Sequence, residues 1–139
     1  RAAPTLLLPW RGDAGDFGHV SAEQRAGFDA LAAALPPEAV VATGLNAGAV
    51  TRYTGRETLR PAAWSDDEWA TAAALLEARG RRLYLLVDGE EMEAVLARSR
   101  ALFALAPVGE YAIPCMGRGG QRLPGRAALY TVKVERAVP

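Results

Sequence analysis

Cysteine and histidine occur once each in this chain, as Cys115 and His19. A single cysteine excludes an internal disulfide and a four-thiolate zinc site. A single histidine means that any Ser-His-Asp arrangement or histidine-based metal site has to be built around a residue near the N-terminus. Neither a metal nor a cofactor is expected. An excess of charge of one sign is missing too. The sixteen basic and sixteen acidic residues cancel, so the electrostatic footprint of nucleic-acid binding is lacking and nucleic acid is not an expected partner. No apolar run approaches the roughly 20 residues needed to span a bilayer, and no charged segment leads into a signal-type apolar stretch. The chain begins with Arg1 rather than Met, which reads as a fragment or a processed product.

What is present is apolar residue in quantity. At 139 residues and 50% apolar composition, the chain can bury one sizeable core and is read as one domain, residues 21–139, behind a lead-in or linker at 1–20. Pro4, Pro9, Gly12, Gly15 and Gly18 punctuate that lead-in, which lays Trp10 and Phe17 on the domain. Ser21 with Gln24 three residues on is a capping box, opening a helix whose apolar positions run through Phe28, Leu31 and Leu35 to the stop at Pro36-Pro37. Val40 to Thr43 is a short apolar strand of the kind covered on both faces. Gly44 to Asn46 turn the chain, Ala47 to Thr54 form a brief helix stopped by Gly55, and Glu57 to Arg60 give a second strand.

Ser65 caps the next helix, with Asp66, Asp67 and Glu68 in the first turn where the helix dipole favours them. Leu83 to Val87 is the strongest strand signal, and Asp88-Gly89 turns into a third helix from Glu90 to about Phe103. A strand over 104–114, broken at Pro107, a glycine-rich hairpin loop over 117–125 and an alternating strand over 127–135 complete the chain. The fold class that follows is α/β: a three-layer sandwich around a mostly parallel, Rossmann-like sheet with a C-terminal antiparallel hairpin at one edge.

The candidate site is the turn Thr43-Gly44-Leu45-Asn46-Ala47-Gly48. It has neither the Walker lysine nor the GxGxxG pattern, so neither a nucleoside triphosphate nor a dinucleotide is implied. It sits where an open α/β sheet places ligands, at the carboxyl end of a strand with backbone N–H groups converging. One reading has Thr43, Gly44, Asn46 and Gly48, helped by Arg52, Tyr53 and Arg56, cradling a phosphate or a sugar. The other has the two glycines simply permitting a tight turn. Arg52, Arg56 and Arg60 suit bidentate phosphate contacts or pairing with Glu57, Asp66 and Asp67 equally well. Trp64 and Trp69 read as core anchors rather than sugar platforms. Asp66, Asp67, Glu68 and Asp88 read as helix caps rather than metal or acid–base groups. The Gly117-Arg118-Gly119-Gly120-Gln121-Arg122 stretch reads as a mobile hairpin, and Cys115 as a small buried side chain.

Pro36-Pro37-Glu38-Ala39-Val40-Val41-Ala42, then Asn46-Ala47-Gly48-Ala49-Val50 and Tyr53-Thr54-Gly55-Arg56-Glu57-Thr58-Leu59-Arg60, resemble the soluble C-terminal domain of bacterial membrane glycosyltransferases of the dolichyl-phosphate-mannose mannosyltransferase type. Leu83 to Asp88 and the 103–108 segment follow in the same order, so the likeness covers roughly residues 25–115. The resemblance implies a noncatalytic α/β domain on the extracytoplasmic face of the membrane, attached to the transmembrane portion of the same polypeptide. It also implies contact with an acceptor glycan or a polyprenyl-phosphate sugar. The family's catalytic acidic residues lie in the membrane portion, so no catalytic residue carries over to this chain. A standalone domain binding a small sugar or phosphate is the alternative expectation.

Overall fold

A computed structural model describes residues 20–135. The expectations placed on Trp10, Phe17 and His19 lie outside the described residues. The elements run in chain order as α1 (Ala22–Ala34), β1 (Ala39–Ala42), α2 (Ala47–Thr54) and β2 (Glu57–Leu59), then a short 3-10 turn (Pro61–Ala63) and α3 (Asp66–Ala78). They continue through β3 (Arg82–Val87), α4 (Glu90–Leu102), β4 (Phe103–Tyr111), β5 (Cys115–Met116), β6 (Arg122–Leu123) and β7 (Ala127–Val134). Five strands form one sheet in the order β2-β1-β3-β7-β4, and β5 and β6 form a separate antiparallel pair. β1 pairs parallel with both β2 and β3. β7 runs antiparallel between β3 and β4, so the sheet is mixed: parallel among the first strands, antiparallel where the C-terminal hairpin closes it.

Local chemistry accounts for most of the element boundaries. Both capping boxes form: the Gln24 amide donates to Ser21 Oγ at 3.1 Å, and the Glu68 amide donates to Ser65 Oγ at 3.1 Å. In each, the side chain three residues on accepts the cap's own N–H in return, at 3.0 and 2.8 Å. Each box satisfies two amides that the helix start would otherwise leave without partners. Gly55 ends α2 in the left-handed region at φ 69°, where a Cβ is disfavoured. α4 passes directly into β4 at Phe103. The break expected at Pro107 is a register shift against β7 between Pro107 and Gly109, and the strand continues through it.

The sheet has a core on each face. Val41, Tyr84, Leu86 and Leu129 pack with Phe28 and Leu31 of α1 and Val50 of α2. Val40, Ala42, Leu83, Leu85 and Val87 pack with Trp69 and Ala73 of α3 and Met92 and Val95 of α4. Successive residues of a strand point to opposite faces. All of β1, and all of β3 after Arg82, is therefore buried, which is why these strands read as unbroken apolar runs. Trp69 is fully buried, its Nε1–H donating to Ser99 Oγ at 2.9 Å and its ring meeting Phe103 edge-on at 5.4 Å. Half-buried Trp64 packs beside it at 6.2 Å. Both tryptophans are core anchors.

The two cores decide where the loops part. The helix that follows β1 lies on one face and the helix that follows β3 lies on the other. Between the carboxyl ends of these adjacent parallel strands the connections diverge, leaving the crevice in which open α/β sheets hold their ligands.

Candidate functional site

The crevice between β1 and β3 is crossed by one side chain. Asp88 follows the last residue of β3 and is 2% exposed. Its Oδ1 accepts the Gly44 amide at 3.0 Å, and its Oδ2 accepts both the Asn46 amide at 3.1 Å and the Asn46 side-chain Nδ2 at 3.0 Å. Asn46 Nδ2 also donates to the Pro114 carbonyl, tying the turn to the segment that enters β5. The turn's amides thus converge as the sequence suggests, but on an aspartate of the same chain. A carboxylate here satisfies the donors that would otherwise attract a phosphate.

The reading of Asp88 as a helix cap is corrected by this geometry. Gly89, not Asp88, is the N-cap of α4, and no side chain caps that helix. Asp88 instead reaches across to a turn 44 residues earlier. Asp66 and Asp67 do lie in the first turn of α3, and Glu68 closes its capping box.

The seven candidate ligand-binding residues divide into two groups. Thr43, Gly44 and Asn46 stand at the crevice end of the sheet, with Thr43 fully buried. Gly44 is required there for close approach: a Cβ would lie 2.9 Å from Asp88 Oδ1, 3.2 Å from Met92 Cγ and 3.3 Å from Glu91 Oε2. Gly48 is exposed, has no positive φ and would meet nothing with a Cβ, so the turn does not depend on its being glycine. α2, eight residues and about 12 Å long, carries Arg52 and Tyr53, and Arg56 just beyond its end, away from the crevice.

Half-buried Tyr53 lies 5.1 Å from the Phe28 ring, with the Arg25 guanidinium 4.5 Å and the Arg52 guanidinium 5.9 Å from its own centroid. Arg56 donates through Nε to the Pro36 carbonyl at 2.9 Å, through Nη2 to Leu35 at 3.1 Å and through Nη1 to Thr54 at 3.2 Å. Its guanidinium thus closes the carboxyl end of α1 and the turn after α2. Arg56→Ala should lower stability by about 1–2 kcal/mol, the scale of charge-assisted hydrogen bonds in a half-buried place. Chemical denaturation would show it as a lower midpoint at unchanged slope; an unchanged midpoint would remove the latch.

Around Asp88 the crevice opens to a cavity of about 400 Å³. Its walls include Leu45, Ala62, Glu91, Met92, Met116 and Arg118, from the β1–α2 turn, the 3-10 turn, α4 and the β5–β6 hairpin. The hairpin is docked by the Met116 amide, which donates to the Asp88 carbonyl at 2.8 Å, and by the Arg118 amide, which donates to Glu90 Oε2 at 3.0 Å. No pattern in the sequence marks the part Glu91, Met92 and Met116 play here, since an apolar helix residue and a hairpin methionine carry no signature of a cavity wall.

Cys115 is buried beside this wall, and burial, then the Asp88 and Glu93 carboxylates, push its thiol above the ordinary value of 9.0. Burial raises the Tyr111 hydroxyl as well. A raised folded-state pKa contributes stability that is complete below the unfolded value and is lost as pH rises through the folded one. Stability should therefore decline above about pH 9. Cys115→Ala should make that alkaline decline shallower in unfolding curves measured across the pH range. Equal slopes for parent and variant would show that the thiol does not contribute.

Among the described residues no group of three or more His, Cys, Asp or Glu side chains is placed to hold a metal ion, and no helix is long and apolar enough to cross a membrane. Fold and crevice define an α/β sandwich domain with a Rossmann-like sheet and a carboxylate-filled switch point. No protein-family model, curated protein or solved structure matches the chain.

Proposed function

We propose that this chain is a noncatalytic accessory domain of a membrane glycosyltransferase that uses polyprenyl-phosphate sugars, standing on the extracytoplasmic side and joined to the transmembrane portion of the same polypeptide. The observation that carries the reading is the Arg56 latch. Two of the stretches on which the resemblance rests, Pro36–Ala42 and Tyr53–Arg60, meet in space. Arg56 of the second donates to the Pro36 carbonyl of the first and to the Leu35 carbonyl just before it. Residues well separated in sequence thus form one structural unit, as a shared domain requires. Asp88 supports the noncatalytic part, because it occupies the amides with which such a crevice would hold a phosphoryl group.

The exposed surface of α2 beside Arg52 and Tyr53 is the face offered to the acceptor or the membrane portion. Fractionation of the source cells, with an antibody raised against this chain, tests the parentage. A band well above 14.7 kDa that stays with membranes after a carbonate wash is the expected result, and a soluble band at that mass would overturn it. In the parent enzyme, Arg52→Ala should slow transfer while leaving the domain folded, since Arg52 is exposed and its guanidinium stands 5.9 Å from the Tyr53 ring centroid. Full activity would remove the contact role.

A further inference from the structure

We propose that the crevice above Asp88 is a binding site for a small ligand that carries a protonated amine on a compact, partly apolar body. The inference does not rest on the glycosyltransferase reading. The cavity, about 400 Å³, falls within the range of small-molecule sites and lies at the fold's switch point. The sequence points to a phosphate or a sugar at this place, and the charges decide against the phosphate. The Gly44 and Asn46 amides are already taken by Asp88. The first turn of α4, whose dipole would favour an anion, carries Glu90, Glu91 and Glu93.

Two carboxylates stand side by side on the cavity wall. Asp88 Oδ1 and Glu91 Oε2 lie 2.9 and 3.3 Å from the point that a Gly44 Cβ would fill. Asp88 accepts three hydrogen bonds, whereas a carboxylate offers about four lone-pair directions, so Oδ1 retains one. Glu91 is half-buried on the cavity wall. An ammonium donates three hydrogen bonds and carries a full charge. In the cavity beside these neighbouring carboxylates it would find surroundings drier than bulk water, where the attraction is stronger. Leu45, 50% exposed, with Met92 and Met116, supplies an apolar and adaptable wall for the ligand's body. Arg118 stands at the rim, where it disfavours a second positive charge and leaves the ligand a single ammonium to place.

The test uses the 139-residue chain, isotope-labelled, with amide and methionine-methyl NMR spectra recorded against four probes. Cyclohexylammonium and glucosamine carry the amine; cyclohexanol and cyclohexanecarboxylate keep the first body with neutral and negative charge. Millimolar cyclohexylammonium or glucosamine should shift the Gly44, Leu45, Gly89 and Glu91 amides and the Met92 and Met116 methyls, and added salt should weaken the effect. Glu91→Gln should raise the dissociation constant about tenfold, the scale of one charge-assisted hydrogen bond, with an unchanged thermal midpoint. Silence from both amines overturns the proposal. So does equal binding of cyclohexanol or the carboxylate, or a Glu91→Gln variant that binds as the parent does. None of these outcomes depends on whether the parent protein is membrane-bound, so the two readings fail separately.

Discussion

Asp88→Ala is expected to lower the free energy of unfolding by about 3 kcal/mol, from hydrogen bonds to a charged group together with a stranded buried donor. Three donors lose their acceptor. The Gly44 amide is the one in buried surroundings, while the Asn46 amide and side chain are only partly buried and can turn to water. The Gly44 amide therefore dominates the loss. Removing a buried charge recovers some desolvation energy, but the carboxylate is already solvated by three N–H groups, so the recovery is the smaller effect. Asp88→Asn should fall between alanine and the parent, because one oxygen still accepts while the new amide nitrogen faces a donor. Against a total stability that is commonly 5–15 kcal/mol, the alanine change is readable in any denaturant titration. A difference below about 0.5 kcal/mol, the level of an ordinary surface substitution, would mean that the two loops are held by something else.

Gly89→Ala is expected to do at least as much harm. Gly89 sits at φ 153°, and a Cβ on it would lie 1.9 Å from the Met116 carbonyl oxygen and 2.9 Å from the Met116 amide nitrogen. The neighbour is backbone, held by its own hydrogen bond to the Asp88 carbonyl, so it cannot rotate aside as a side chain would. Backbone strain and overpacking each contribute about 1–3 kcal/mol in such settings, giving an expected loss of about 3–5 kcal/mol. If the β5–β6 hairpin detaches instead, the stability loss shrinks but Cys115, at its root, becomes accessible. Thermal melts and the rate of thiol alkylation therefore read the two routes together. A variant with both a parental midpoint and a protected thiol would contradict the geometry.

The sequence discloses what neighbours in the chain decide. Ser21 with Gln24 and Ser65 with Glu68 announce helix starts because the partners are three residues apart. The apolar runs Val40–Val41 and Leu83–Val87 announce strands covered on both faces because burial leaves no room for alternation. The turn alone locates the crevice, since a glycine-bearing turn after a buried strand marks the carboxyl edge of a sheet. Its occupant is not legible in the same way. Asp88 precedes an acidic helix and so resembles a cap, and nothing local says that its carboxylate turns towards residue 44. One signal is there: a charged residue directly continuing a fully buried strand, where an acid needs buried donors. Arg56 misleads for the opposite reason. An arginine near a glycine turn suggests an anion, yet guanidinium serves equally to gather carbonyls, and two of the three carbonyls it gathers lie 20 and 21 residues back.

The register shift between Pro107 and Gly109 has a bearing on how these molecules tolerate one another at high concentration. Among the described residues β4 is the outermost strand on its side, nine residues long and largely free of charge, the kind of border along which a neighbouring molecule could add a strand of its own. Pro107 has no N–H to offer to an added strand, and the register against β7 shifts beside it. An incoming chain would meet a strand that lacks a donor at Pro107 and loses its regular register just beyond it. The border is blunted against stacking by its own backbone.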